Sequence, residues 1–159
     1  MARCADFLTL VARQRTGRVD PMPPFASSTL PTWMLQVLPV AFLAITFLQS
    51  GLDKVINWKG NLDWQTGYFS KTPVLRGLVL PMFATLVVLE LAAGGLCAAG
   101  VLALAFTGNS GIAVLGASVS GVIFLALLFG QRIVKDYPGA AGSVPYFLVS
   151  LAALFALRG

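Results

Sequence analysis

The sequence predicts an all-α fold, a transmembrane bundle of four helices, from its composition and its pattern of apolar stretches. Hydrophobic residues make up 57% of the 159 residues and charged residues only 11%, whereas about a quarter of the residues of a soluble domain are charged. Four apolar stretches each approach the roughly 20 residues that a helix needs to cross a hydrocarbon core. They cover about residues 33–52, 78–106, 112–130 and 140–157. Because backbone polar groups in lipid must be satisfied within their own segment, the spans are predicted to be helices.

The first 30 residues are predicted to be an N-terminal extension, and residues 31–159 the transmembrane domain. Within the extension, residues 3–15 are the candidate for a short amphipathic helix lying on the membrane surface. The cluster Pro21, Pro23 and Pro24 then interrupts any helix before the first span. This segment is therefore expected to be interfacial or irregular.

The first connection, residues 53–77, is the only long one. Its aromatic residues, Trp58, Trp64, Tyr68 and Phe69, alternate with basic residues. Aromatic and basic side chains in this mixture are typical of a segment that lies along the lipid headgroups. The sequence therefore predicts an interfacial segment with a short helix after Asn61.

Small residues occur at helical spacing in the second and third spans. The residues predicted to pack helix against helix are Gly94, Gly95, Gly116 and Gly121. Small residues let helix backbones approach closely in lipid, where no hydrophobic force drives association. The turn at residues 107–111 makes these two spans antiparallel neighbours. Because one bundle needs fewer small residues than these, we expect one such face to contact another membrane subunit or a second copy.

Glu90 is the one carboxylate inside a span. It lies nine residues beyond Pro81, hence about 13 Å below the membrane face at 1.5 Å per residue. A charge at that depth costs about 2.5 kcal/mol or more unless it is paired or neutral. The candidate partners, in order of preference, are Lys54, Gln49, Arg132 and Gln131. Two hypotheses remain open: a polar clasp that fixes helix register, or a proton-handling carboxylate that contacts a quinone-like or small polar ligand.

Composition excludes several classes of site. The chain contains no histidine, which excludes histidine-ligated haem, the usual zinc ligand sets and an imidazole base. No metal site and no C-x-x-C redox pair is predicted. The formal charge of +5 indicates contact with lipid headgroups rather than nucleic acid. Basic residues are nearly balanced between the two membrane faces, so the positive-inside rule assigns no orientation.

Two short motifs resemble those of the DoxX family of small four-span membrane proteins. That family typically has a glycine and a lysine at the end of its first span, matched here by Gly51 and Lys54. It also has a glutamate followed by small residues in its second span, matched by Glu90, Gly94 and Gly95. The segments 129–137 and 144–147 resemble a DoxX-like subgroup. The resemblance covers residues 33–157.

The resemblance implies a multi-pass protein of the bacterial inner membrane. Some relatives are membrane subunits linked to thiosulfate:quinone oxidation, and others are associated with detoxifying oxidoreductases or with the maturation of a periplasmic enzyme. The leading expectation is an accessory subunit that docks with a larger membrane-bound complex, for which a respiratory complex is one candidate. Redox chemistry by this chain alone is not expected. The alternative is a quinone-binding subunit of an oxidoreductase in which Glu90 handles protons. A small-solute permease is disfavoured, since neither broken helices nor inverted repeats are evident.

Overall fold

The computed structural model describes residues 30–70, 72, 75 and 77–158. This part of the chain forms five helices and no strand: α1 (Leu30–Ile56), α2 (Trp58–Tyr68), α3 (Val79–Phe106), α4 (Gly111–Ile133) and α5 (Tyr137–Ala156). All but α2 are long and apolar enough to cross a membrane. The predicted all-α four-helix bundle is therefore confirmed, and the chain is an integral membrane protein. The predicted helix at residues 3–15 lies outside the described residues.

The four long helices form an antiparallel ring in the order α1, α3, α4, α5. The contacts that join neighbouring helices are Leu48 with Gly94, Cys97 with Gly116, Gly121 with Ser150, and Gln36 with Ala156. A second contact for each of these four helix pairs shows the numbering rising along one helix as it falls along the other, as an up-down-up-down bundle requires. These second contacts are Gly51 with Leu91, Gly100 with Ala113, Gln131 with Ser143, and Phe42 with Tyr146. Helices α1 and α4 meet across the centre, where the ring centroids of Phe47 and Phe124 are 4.9 Å apart.

Buried apolar side chains fill the space inside the ring. The largest fully buried ones are Phe47, Leu43, Ile123 and Val40. Ser120 is also fully buried, and its hydroxyl donates to the carbonyl of Gly116 one turn earlier at 2.8 Å. That bond satisfies the hydroxyl within its own helix, as a polar group in an apolar interior must be. The hydroxyl oxygen of Ser120 also lies 3.7 Å from the sulfur of Cys97 on α3, so Ser120 joins α4 to α3 through a second buried polar contact.

Four helix ends differ from the predicted span ends by three or four residues. Helix α1 runs from residue 30 to 56 instead of 33–52, α4 continues to 133, and α5 begins at 137. Polar residues at a membrane interface end the apolar run but not the helix. Asp136 caps the first turn of α5 by accepting from the backbone N–H of Gly139 at 3.0 Å, which stabilises the early start. Because of this early start, Pro145 lies inside α5.

Helix α2 crosses the end of the bundle. It begins at Trp58, three residues before the predicted position. Trp58 meets Phe83 of α3 edge-on, with ring centroids 4.8 Å apart. At its other end the hydroxyl of Tyr68 donates to Asp136 at 2.6 Å. Helix α2 therefore runs from the end of α1, past the start of α3, to the connection between α4 and α5.

Candidate functional site at the α1–α3 contact

Glu90 lies on the face of α3 that packs against α1, and only 3% of it is exposed. Two glycines bring the helices close around it. A Cβ at Gly94 would come within 2.8 Å of the backbone nitrogen of Leu48, and one at Gly51 within 2.7 Å of the Leu91 side chain. Such backbone proximity is the contact that small residues permit in membrane helices. Any larger residue at Gly94 would push α1 away from the carboxylate.

The carboxylate of Glu90 is held by two side chains of α1. The ammonium nitrogen of Lys54 lies 2.9 Å from Oε2 and 3.2 Å from Oε1. The hydroxyl of Ser50 accepts from that nitrogen at 2.6 Å and donates to Oε2 at 3.3 Å. Ser50 precedes Lys54 by four residues, so the two side chains lie on the same face of α1. Glu90, Lys54 and Ser50 together form what we call the clasp.

The clasp is a closed set of charges and hydrogen bonds. Lys54 has three ammonium protons and four acceptors within reach: both oxygens of Glu90, the hydroxyl of Ser50 and, at 3.4 Å, the backbone carbonyl of Ser50. Its side chain is 17% exposed, compared with 3% for Glu90, so the cluster opens at the lysine. Since the charges neutralise each other, this arrangement is suited to holding α1 and α3 in register. As a proton acceptor, Glu90 would have to give up its lysine first.

The other three predicted partners of Glu90 lie elsewhere. Gln49 is exposed on α1. Gln131 accepts a hydrogen bond from Ser143 of α5 at 2.8 Å. The guanidinium of Arg132 lies 5.3 Å from the ring centroid of Tyr137, a distance typical of a cation–π contact. Of the four candidate partners, the structure brings Lys54 alone to Glu90. Ser50 was not among them, although its position one turn before the lysine was a usable signal.

Three of the four predicted packing glycines lie between helices. Gly94 faces α1, Gly116 faces α3 and Gly121 faces α5. Gly95 is exposed, and a Cβ there would meet no atom of the described residues beyond its own helical turn within 4 Å. Gly100 was not among the predicted packing residues, yet a Cβ on it would lie 2.6 Å from Cα of Ala113, the first turn of α4.

A second polar contact joins Tyr68 of α2 to Asp136 before α5. Burial, reinforced by the hydrogen bond to Asp136, raises the pKa of Tyr68 to about 12. The same hydrogen bond, together with that from the Gly139 backbone, lowers the pKa of Asp136. Both shifts favour a neutral tyrosine donating to an ionised carboxylate. This contact therefore fastens α2 to the end of the bundle over a broad range of pH.

Beneath this contact lies a cavity of about 530 Å³ between α2, α3 and α4. Its outer rim carries Tyr68, Gln131 and Asp136, and its inner wall is apolar, with Leu86 and Leu127 among its members. Glu90 is not part of the wall, although the preceding residue Leu89 is. No periodic pattern in the sequence predicts this cavity, because its walls come from three different helices.

Within the described part of the chain, no group of three or more His, Cys, Asp or Glu side chains is placed to hold a metal ion. Comparison with family models, with curated proteins and with solved structures finds no match to this chain.

Proposed function

We propose that this chain is a DoxX-like accessory subunit that docks onto a larger membrane-bound complex, a respiratory complex being one candidate. The supporting observation is a strip of small residues on the outer face of α3, formed by Ala92, Gly95 and Ala99, all of them exposed. At 100° per residue, this strip lies on the side of α3 opposite Glu90. We call it the α3 strip.

The α3 strip is suited to a protein partner rather than to lipid. Lipid gains nothing from a glycine, which costs about 1 kcal/mol relative to alanine inside a helix. Small residues are useful where another helix backbone approaches closely. The glycines at contacts within the bundle, Gly94 and Gly116 among them, face neighbouring helices of this chain, so the α3 strip is additional to what the fold uses.

The clasp supports this role by fixing the helix that carries the strip. A docking face must keep its rotation and its height relative to the rest of the subunit. Glu90 is bonded to Lys54 and Ser50 on α1, so α3 can neither rotate nor slide without breaking an ion pair in low dielectric. Breaking such a pair costs about 3–5 kcal/mol. The proposal therefore gives Glu90 a structural part in presenting the α3 strip.

Purification from native membranes in mild detergent tests the proposal. The wild-type chain should elute with other subunits in one discrete complex. Gly95→Leu should release the chain from the complex, because the new side chain occupies the docking face without any clash inside the bundle. The matched control is Gly142→Leu on α5, where an added Cβ also meets no atom within 4 Å. If Gly95→Leu co-purifies as fully as the control, the α3 strip is not the docking face.

The competing hypothesis is a quinone-binding subunit in which Glu90 handles protons. It requires Glu90 to be free to exchange a proton and to contact the ligand. Two observations count against it: Glu90 is bonded to Lys54 and Ser50, and it is not on the cavity wall. Glu90→Gln distinguishes the two. The clasp hypothesis expects the variant to assemble almost normally with activity retained, and the proton-handling hypothesis expects an intact complex without activity.

A further inference from the structure

We propose that the cavity between α2, α3 and α4 binds one molecule of an uncharged amphiphile with a hydroxylated head, drawn from a single leaflet of the bilayer. This inference is independent of the docking role, because the cavity and the α3 strip share no residue. It rests on the depth of the cavity, the polar groups at its rim and the small residues that keep it open.

The depth of the cavity matches one leaflet. Its wall extends along α3 from Leu78 to Leu89, eleven residues apart and therefore about 16 Å at 1.5 Å per residue. That is about half of a hydrocarbon core roughly 30 Å thick. Its volume of about 530 Å³ lies within the range of small-molecule sites, about 300–1,000 Å³. An apolar chain entering from the α2 end would thus reach close to the bilayer centre.

Small residues of α4 make this room. Ala126 and Gly130 both line the cavity, and a Cβ on Gly130 would stand 3.8 Å from the ring of Phe69. Leucine or phenylalanine at either position would occupy the space. Lipid that merely surrounds a protein needs no such recess.

The rim selects the head by its hydrogen-bonding groups. The carboxylate of Asp136 accepts from Tyr68 and from the Gly139 backbone, and its remaining lone pairs can accept from a further donor. Ser143 donates to Oε1 of Gln131, which leaves the two Nε2 protons of that amide for an acceptor. A hydroxyl both donates and accepts, so it satisfies both groups at once. A second carboxylate or a phosphate would be repelled by Asp136, and a carbonyl alone would offer Asp136 no further hydrogen bond beyond those from Tyr68 and Gly139.

Native mass spectrometry of the full chain in detergent micelles tests this with three probes that share one oleoyl chain. The probes are mono-oleoylglycerol, whose head is hydroxylated, methyl oleate, whose head only accepts, and oleate, which is an anion. We expect mono-oleoylglycerol to saturate at one molecule per chain. It should bind about fivefold more tightly than methyl oleate, because its hydroxyl can donate a hydrogen bond to Asp136 and methyl oleate cannot. Oleate should bind most weakly. Equal binding of all three, tightest binding of oleate, or adducts that do not saturate would overturn the proposal.

Variants locate the binding. Ala126→Phe should abolish retention of mono-oleoylglycerol by filling the cavity, whereas Ala152→Phe, at an exposed position of α5, should not. Gln131→Met keeps the length of the side chain but removes its donors, and should weaken binding of mono-oleoylglycerol and methyl oleate alike by about fivefold. Should Ala126→Phe fail to fold, Gln131→Met still decides the matter. Unchanged affinity in Gln131→Met would place the amphiphile elsewhere.

Discussion

Replacing Lys54 with methionine isolates the energy of the clasp. Methionine preserves most of the apolar stem but removes the ammonium group, leaving Glu90 3% exposed with the hydroxyl of Ser50 at 3.3 Å as its remaining partner. Removing one member of a buried ion pair costs about 3–5 kcal/mol. Because the lysine side chain is 17% exposed and Ser50 remains, we expect the lower end, about 3 kcal/mol of unfolding free energy.

The measurement is a double-mutant cycle of Lys54→Met and Glu90→Gln. Each protein is unfolded reversibly in mixed micelles that contain an increasing fraction of denaturing detergent. Glu90→Gln alone should cost about 1 kcal/mol, since the amide still accepts a hydrogen bond. In the double variant Lys54→Met, Glu90→Gln no buried charge is left unpaired, so most of the loss seen in Lys54→Met should be recovered. If about 2 of these 3 kcal/mol are recovered, the coupling energy is about 3 kcal/mol. Strictly additive losses would contradict the clasp, because they would mean that Lys54 and Glu90 do not stabilise each other.

Three further predictions follow from the packing and from the α2 contact. In the purified chain, Gly116→Ala should lower the unfolding free energy by about 1–3 kcal/mol, since its Cβ would lie 2.8 Å from the Cys97 backbone nitrogen. Gly95→Ala should instead raise the unfolding free energy by about 0.5–1 kcal/mol, because alanine loses less backbone entropy than glycine in a helix. Tyrosinate absorbance should show Tyr68 ionising near pH 12. The stability contributed by neutral Tyr68 should be present below pH 10.0 and lost as the pH rises through about 12. In Asp136→Asn the ionisation of Tyr68 should move to lower pH. The stability contributed by ionised Asp136 should be present above its ordinary pKa of 3.8 and lost as the pH falls through its lowered pKa. Thermal unfolding scans of Tyr68→Phe should show a smaller loss of stability over this acid range.

The fold was predictable because the membrane imposes simple rules. A chain with four long apolar stretches and one short turn between the second and third has little choice but an up-down bundle. The helix ends were less predictable, because hydropathy reports where the apolar core ends and not where backbone hydrogen bonds end. Helix α1 continues to Ile56 through Asp53 and Lys54, both of which a hydropathy scan counts as loop.

The site was predictable to the extent that its energetics are local. A buried carboxylate demands a partner, and Lys54 was the preferred one because its long side chain can reach inward from the interface. Ser50 was not predicted, because its hydroxyl takes part only where the folded chain brings Lys54 and Glu90 to it. Gln131 was a candidate partner of Glu90, yet it accepts a hydrogen bond from Ser143 of α5. Which neighbouring helix a side chain of α4 faces depends on how the helices pack.

The cavity could not be foreseen at all. Its rim joins Tyr68 of α2 to Asp136 and Gln131, residues more than 60 positions apart that come together because α2 crosses the bundle end. The sequence indicated an interfacial segment but not what that segment would cover.

The most direct test of the docking role is the mass of the intact assembly released from native membranes into the gas phase under mild detergent. We predict a discrete species that contains this chain together with at least one other membrane protein. Glu90→Gln should leave that species intact, whereas Gly95→Leu should remove this chain from it. A chain that emerges alone, from wild type and variants equally, would rule out the docking role.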